Sequence, residues 1–223
     1  HERFPGVYVV KFEDGSEKLA TRNLVLGHRV YGEQLVKWEG VEYRIWNPYR
    51  SKLAAVIRKG LGTPIVRRTD KVLYLGAASG TTVSHVSDLV GPQGLVYAVE
   101  VAPRSMRDLL PVCEARPNII PILADARTPE GYTPFLQTVD VIYQDVAQPD
   151  QAEILAVNAL LYLKHQGTAA IAVKARSIDV TKDPKEVYKQ QIAILESKGF
   201  HIQEVVSLDP FDKDHIMVIA SWR

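Results

Sequence analysis

Val72-Leu73-Tyr74-Leu75-Gly76-Ala77-Ala78-Ser79-Gly80-Thr81-Thr82 is the stretch on which the fold turns. Val72 to Leu75 is a short apolar run of the kind that lies in a sheet covered on both faces, and a helical stretch follows from about Thr82 to Leu89. Such a strand–turn–helix junction is where an open α/β sheet holds a ligand. A dinucleotide fold would place G-x-G-x-x-G here, so that amides cradle a pyrophosphate. The spacing is instead G-x-x-x-G, with Ala78 where the middle glycine would stand. Gly76, Ala77 and Gly80 allow close approach to the backbone, and Thr81-Thr82 offer hydroxyls and amides to a carboxylate. The turn therefore suits a nucleoside ligand lacking a pyrophosphate.

Downstream, Leu95 to Val99, Ile119 to Leu123, Val139 to Tyr143 and Ala169 to Val173 read as further buried strands. Helices are expected over Pro103 to Glu114, Gln151 to Leu163 and Lys185 to Lys198, with Pro111 kinking or shortening the first. Ile202 to Ser207 and Ile216 to Ser221 read as a closing hairpin. The pattern predicts a doubly wound, Rossmann-like α/β sheet with an antiparallel pair at one edge. Glu100, Asp125-Ala126 and Asp145-Val146-Ala147-Gln148 end three successive strands. There a carboxylate can accept both hydroxyls of a ribose, and others can receive an adenine amino group or face a cation. Acidic groups along one rim suit S-adenosyl-L-methionine, a sulfonium without phosphates, better than NAD.

Upstream, Val7 to Phe12 and Glu17 to Thr21 pair across Asp14-Gly15, and Lys37 to Trp46 forms a second hairpin turning at Glu39-Gly40. Ser51 caps a helix to about Lys59. These features predict a small antiparallel β domain over 1–50 and the larger domain over 51–223. Trp38, Tyr43, Trp46 and Tyr49 are expected to pack the small sheet onto its neighbour. Residues 1–70 hold thirteen Lys or Arg against eight Asp or Glu, and no acid occurs among the seven basic residues Arg44, Arg50, Lys52, Arg58, Lys59, Arg67 and Arg68. This stretch is the expected contact for RNA phosphates.

With 46% hydrophobic and 24% charged residues, the 223-residue chain is neither disordered nor fibrous. One cysteine, Cys113, excludes an internal disulfide or a cysteine zinc site, no metal is expected, and a reducing, cytoplasmic setting fits. No apolar run is long enough to cross a bilayer, so no membrane partner is expected.

Asn47 to Ala55, Tyr74 to His85, Tyr97-Ala98-Val99-Glu100, Ala124 to Arg127, Asp145 to Pro149 and Val173 to Ser177 together resemble fibrillarin, the S-adenosylmethionine-dependent RNA ribose 2'-O-methyltransferase of box C/D guide-RNA particles. The likeness covers essentially the whole chain, and with no Gly/Arg-rich leader it is to the archaeal form. Tyr74 and Ala78 depart from a generic methyltransferase, which would carry Asp and Gly there, and agree with this family. The resemblance implies a cofactor pocket that includes Thr81, Thr82, Glu100, Val101, Asp125, Ala126, Asp145 and Gln148. It also implies a scaffold protein, a kink-turn-binding protein and a guide RNA that pairs with rRNA or tRNA targets, and an isolated chain that binds cofactor but is poorly active.

A 2'-hydroxyl is a weak acid, so the site must position it and relieve it of its proton. Lys174, ending the Ala169 to Val173 strand, is expected on the same rim as Asp145. The resemblance completes a set with Lys52 and His215. The expected roles are Lys174 as base or orienting group, Asp145 holding Lys174, and Lys52 and His215 contributing charge. A nicotinamide oxidoreductase and a non-catalytic assembly module are the competing readings.

Overall fold

The computed structural model describes residues 1–223. Strands β1 (Val7–Lys11), β2 (Glu17–Arg22), β3 (Leu35–Trp38) and β4 (Val41–Trp46) form an antiparallel sheet in the order β1-β2-β4-β3. Helix α1 (Lys52–Arg58) follows, its amino end capped by Ser51 Oγ, which accepts from the amide of Ala54. The remaining chain builds β5 (Lys71–Leu75), α2 (Thr81–Val90), β6 (Leu95–Glu100), α3 (Pro103–Ala115), β7 (Ile119–Leu123), β8 (Val139–Gln144), α4 (Gln151–Tyr162), β9 (Leu163–Lys174), a short α5 (Ala175–Ile178), α6 (Pro184–Ser197), β10 (Phe200–Ser207) and β11 (His215–Trp222).

These seven strands lie in the order β10-β11-β9-β8-β5-β6-β7. Neighbours from β7 to β9 pair in parallel, whereas β11 is antiparallel to both β9 and β10. The strand order reverses between β5 and β8, which places the ligand crevice at Gly76 and Asp145. Because β11 runs against the sheet, its first residue, His215, emerges on the same rim as the last residue of β9 and is paired directly with Lys174.

Two apolar clusters cover the two faces. One joins β5 and β6 to α2, α3, α1 and the small sheet through Val7, Leu19 and Trp46; the other joins the sheet to α4 and α6. Residue 50 falls between β4 and α1, yet the first core is continuous across it. Trp46 is fully buried and stacks on His85 at 4.8 Å and 15°. Tyr43 meets Tyr8 edge-on. Trp38 and Tyr49, expected to pack likewise, are 67% and 69% exposed.

A buried ionic network fixes α2 to the small sheet. Asp88 accepts from Arg44, Arg116, the Thr21 hydroxyl and the Leu24 amide, and Arg44 also donates to Glu33 at 2.6 Å. Arg44, expected among the RNA-facing cations, is therefore wholly interior. His85 lies within this network, and burial, reinforced by Arg44 and Arg116, pushes its pKa well below the ordinary value. A neutral ring needs one ring proton: Nδ1–H donates to Thr21 Oγ1 at 2.8 Å, and the Nε2 lone pair meets the Tyr31 hydroxyl at 2.8 Å, whose one proton it shares with the Ile45 carbonyl at 3.1 Å. This frees the Thr21 hydroxyl proton for Asp88.

Two expected boundaries move. Helix α3 runs through Pro111 to Ala115 without stopping. Strand β9 begins at Leu163, six residues early, because Leu163 already pairs with Val139; the exposed segment 164–166, with Gln166 at φ +59°, then bulges before lateral pairing resumes at Thr168.

Candidate active site

A cleft of about 270 Å³ opens outside the carboxyl ends of β5, β6, β7 and β8. Larger clefts, about 560 and 530 Å³, lie near the opposite end of the sheet, around the end of α2. Chemistry rather than volume distinguishes the rim cleft, since Gly76, Glu100, Val101, Asp125, Asp145 and Gln148 converge only there. Gly76 has φ +85°, and a Cβ at that position would sit 2.3 Å from the carbonyl oxygen of Asp145. Glycine is therefore required for β5 to leave the sheet against the end of β8. Gly80 has a different role: its missing Cβ makes room for Leu109 and Val112 of α3.

Glu100 is set for two hydroxyls. Its Oε2 accepts from the Ala78 amide and its Oε1 from the Ala102 amide, each at 2.8 Å, so the carboxylate is held in one orientation with a lone pair left on each oxygen. Asp125 lies one strand away, its Oδ1 accepting from the Arg127 amide. Gln148 lines the same cleft, and its side-chain oxygen is buried with no partner, a deficit that a bound donor would relieve. Helix α2 starts at Gly80 with no side-chain cap, leaving first-turn amides available to a carboxylate. These features fit a nucleoside that ends in an amino acid.

Ala77, Gly80, Thr81 and Thr82 stand at the helix start and do not line the cleft itself. The Thr82 hydroxyl, expected to face a ligand carboxylate, donates to Ser51 Oγ and ties α2 to the cap of α1. Ala126 and Val101 do line the cleft, Val101 half exposed at its mouth.

Beside the cleft stands a chain of ionisable groups. Lys52 Nζ lies 2.9 Å from both oxygens of Asp145 and 3.6 Å from Asp212 Oδ2. Burial disfavours its ammonium, but the two carboxylates outweigh that cost and hold the pKa above the ordinary lysine value. Lys52 is consequently a fixed cation. Asp212 Oδ1 is 2.9 Å from His215 Nδ1, and the Lys213 carbonyl is 2.7 Å from the same atom. With two acceptors on it, Nδ1 carries the ring proton, and the Nε2 lone pair is free in the neutral ring.

The expected pair of Asp145 with Lys174 is not formed. Asp145 is taken by Lys52, because the start of α1 lies over the end of β8, and Lys174 makes no ion pair. Lys174 is anchored by its main chain, its amide donating to Gln151 Oε1, opposite His215. The run is thus Asp145–Lys52–Asp212–His215 with Lys174 across the strand. Asp212 was missed because it lies in an aperiodic loop; the crowding of Asp209, Asp212 and Asp214 ahead of His215 was the available signal. Of the basic stretch, Arg50 and Lys52 stand near this rim, whereas Arg58 and Lys59 end α1 and Arg67 and Arg68 precede β5 at the sheet's far end.

The Fibrillarin family model matches residues 1–223. A fibrillarin-like rRNA/tRNA 2'-O-methyltransferase of Methanopyrus kandleri is 54% identical over 223 residues, covering 100% of this chain and 96% of that protein. The structure of Aeropyrum pernix fibrillarin in complex with natively bound S-adenosyl-L-methionine superposes with a TM-score of 0.93 at 56% identity, over 99% of this chain and 96% of that one. A fibrillarin/Nop5p complex matches with a TM-score of 0.88 at 44% identity, over 99% and 98%. A rim built for adenosine, a neighbouring set of fixed charges and full-length similarity to these proteins agree: the chain belongs to the fibrillarin family.

Proposed function

We propose that this protein is an S-adenosylmethionine-dependent RNA ribose 2'-O-methyltransferase that acts on rRNA and tRNA. The observation that carries the reading is the placement of the Lys52 ammonium on Asp145, at the border between the adenosine cleft and the Asp212–His215–Lys174 cluster. S-adenosyl-L-methionine, when bound, supplies a methyl group already activated by positive charge. Glu100 takes the ribose hydroxyls, Asp125 and Gln148 the adenine end, and the first-turn amides of α2 the carboxylate. The chain's remaining task is to present the RNA hydroxyl in line and remove its proton.

Of the two lysines, Lys174 is the one without a carboxylate partner, and it takes or orients the 2'-hydroxyl proton. Lys52, kept charged by Asp145 and Asp212, faces the oxygen as negative charge develops there. His215, its Nδ1 proton fixed, presents Nε2 to the same place.

A scaffold protein of the type represented by Nop5p binds the chain. A box C/D guide RNA selects the nucleotide by base pairing, a kink-turn-binding protein joins indirectly, and the particle works in the cytoplasm. The test is reconstitution with scaffold, kink-turn protein and guide RNA, supplied with methyl-labelled cofactor. Label on the 2'-oxygen of the guided nucleotide is expected; cofactor binding without any transfer would leave only the assembly-module reading.

A further inference from the structure

Two segments from distant parts of the chain meet beside Lys52 and leave an aromatic surface open. The turn ahead of α1 is fixed by Asn47, whose side-chain oxygen accepts from the Tyr49 amide and whose carbonyl accepts from the Arg50 amide. That turn holds the Tyr49 ring outward, the most exposed of the Phe, Tyr and Trp side chains. Phe211, from the loop joining β10 to β11, meets the ring edge-on, centroids 5.1 Å apart at 71°. The loop is itself pinned: Leu208 is buried, its amide donates to the His215 carbonyl, and its carbonyl accepts from the amides of Phe211 and Asp212. The residue after Phe211 is Asp212, which bridges Lys52 and His215. The segments that assemble the catalytic charges therefore also assemble the aromatic pair.

The exposure of Tyr49 contributes nothing to folding that a polar residue would not. A ring held by a hydrogen-bonded turn and braced by a second ring is pre-ordered for a contact, so binding costs little side-chain entropy. Its surroundings identify the occupant. Arg50 follows Tyr49 and Lys213 lies two residues after Phe211; both are exposed, Arg50 with its guanidinium over the Tyr31 ring, and of the nearby acids Asp212 is engaged by Lys52 and His215 and Asp214 by Arg176, leaving Asp209 exposed. An aromatic face rimmed by exposed cations without carboxylate partners is the arrangement that takes nucleic acid, the ring packing on a nucleotide and the cations meeting phosphates.

We infer that Tyr49, braced by Phe211, is a substrate-positioning platform that packs on a nucleotide of the target RNA flanking the ribose to be methylated. This rests on the methyltransferase reading and assigns that site its RNA-facing wall. In a paired A-form helix the bases cover one another while the shallow groove displays the 2'-hydroxyls, so the ring meets the sugar edge of a paired neighbour and the base face of an unpaired one. Targets whose flanking nucleotide is paired or mismatched to the guide separate the two contacts.

The test uses the reconstituted particle in two formats. Tyr49→Ala is expected to slow single-turnover methylation roughly tenfold, the scale of one lost stacking contact, with thermal stability and cofactor affinity unchanged, while Tyr49→Phe keeps the wild-type rate. Benzoylphenylalanine in place of Tyr49, irradiated in the particle, is expected to cross-link to the target strand within two nucleotides of the methylated position. An undiminished rate for Tyr49→Ala, or cross-links confined to a protein component, overturns the proposal; the second result would make the ledge a scaffold-docking surface. Cross-linking needs no turnover, so a particle that transfers no methyl but still cross-links to the target would overturn the function and uphold the ledge.

Discussion

Asp212→Asn separates two roles that the structure gives one carboxylate. The substitution keeps the side-chain shape and removes one negative charge from between Lys52, at 3.6 Å, and His215 Nδ1, at 2.9 Å. If Asp212 alone fixed the tautomer of His215, the loss would approach the ten-thousandfold scale seen when the carboxylate of a Ser-His-Asp triad is neutralised. The Lys213 carbonyl, at 2.7 Å from the same nitrogen, accepts and cannot donate, so the Nδ1–H tautomer survives the change. What remains is the loss of one of the two carboxylates on Lys52. The side chains of Lys52 and Asp212 are 22% and 36% exposed, so solvent screens the pair and its worth is about 1 kcal/mol. Asp145 remains to keep the ammonium charged. The expected outcome is a single-turnover methylation rate lowered about fivefold, with S-adenosylhomocysteine affinity unchanged by calorimetric titration. A thousandfold loss would refute the argument that the main-chain carbonyl holds the tautomer. An undiminished rate would show that the bridge from Lys52 to His215 takes no part in the reaction.

Lys174→Ala is expected to abolish methylation in the reconstituted particle and leave cofactor affinity nearly intact, measured by label transfer and titration; substantial turnover would reject its proton-handling role. Gly76→Ala forces a Cβ toward the Asp145 carbonyl, so the end of β8 must shift, and S-adenosylhomocysteine affinity should fall at least tenfold. Asp88→Asn leaves Arg44 and Arg116 buried without their shared counter-charge, a loss of about 3–5 kcal/mol that should lower the melting temperature by roughly 6–20 °C in calorimetry. His85 gives a pH signature. Its folded pKa lies well below 6.5, so below that pH the unfolded chain binds the proton that the folded chain refuses, and stability falls as pH drops from about 6.5, by up to about 1.4 kcal/mol per unit. Denaturant midpoints at pH 7 and pH 5 should show that slope in the parent and a smaller one in His85→Leu.

Most of the large sheet could be read from the sequence because parallel strands buried on both faces leave unbroken apolar runs, and Glu100, Asp125 and Asp145 declared themselves by ending three of them. What escaped was set by contacts across long stretches of chain. Arg44, Asp88 and Arg116 carry charges that ordinarily mark a surface, and only the packing of α2 against β2 and β4 turns them inward as mutual partners. Thr82 offered a hydroxyl to a ligand until the cap of α1 arrived to claim it. The partner of Asp145 was mistaken for the same kind of reason. Adjacent strand ends suggested Lys174, but α1, 93 residues away in sequence, lays Lys52 over β8 and takes the carboxylate first. In the proposed mechanism Lys52, held by two carboxylates, is the cation set against the forming oxyanion, and Lys174, which makes no ion pair, is left to orient the hydroxyl or take its proton. On that proposal the rim divides between two lysines the roles that a single ion pair would have forced onto one.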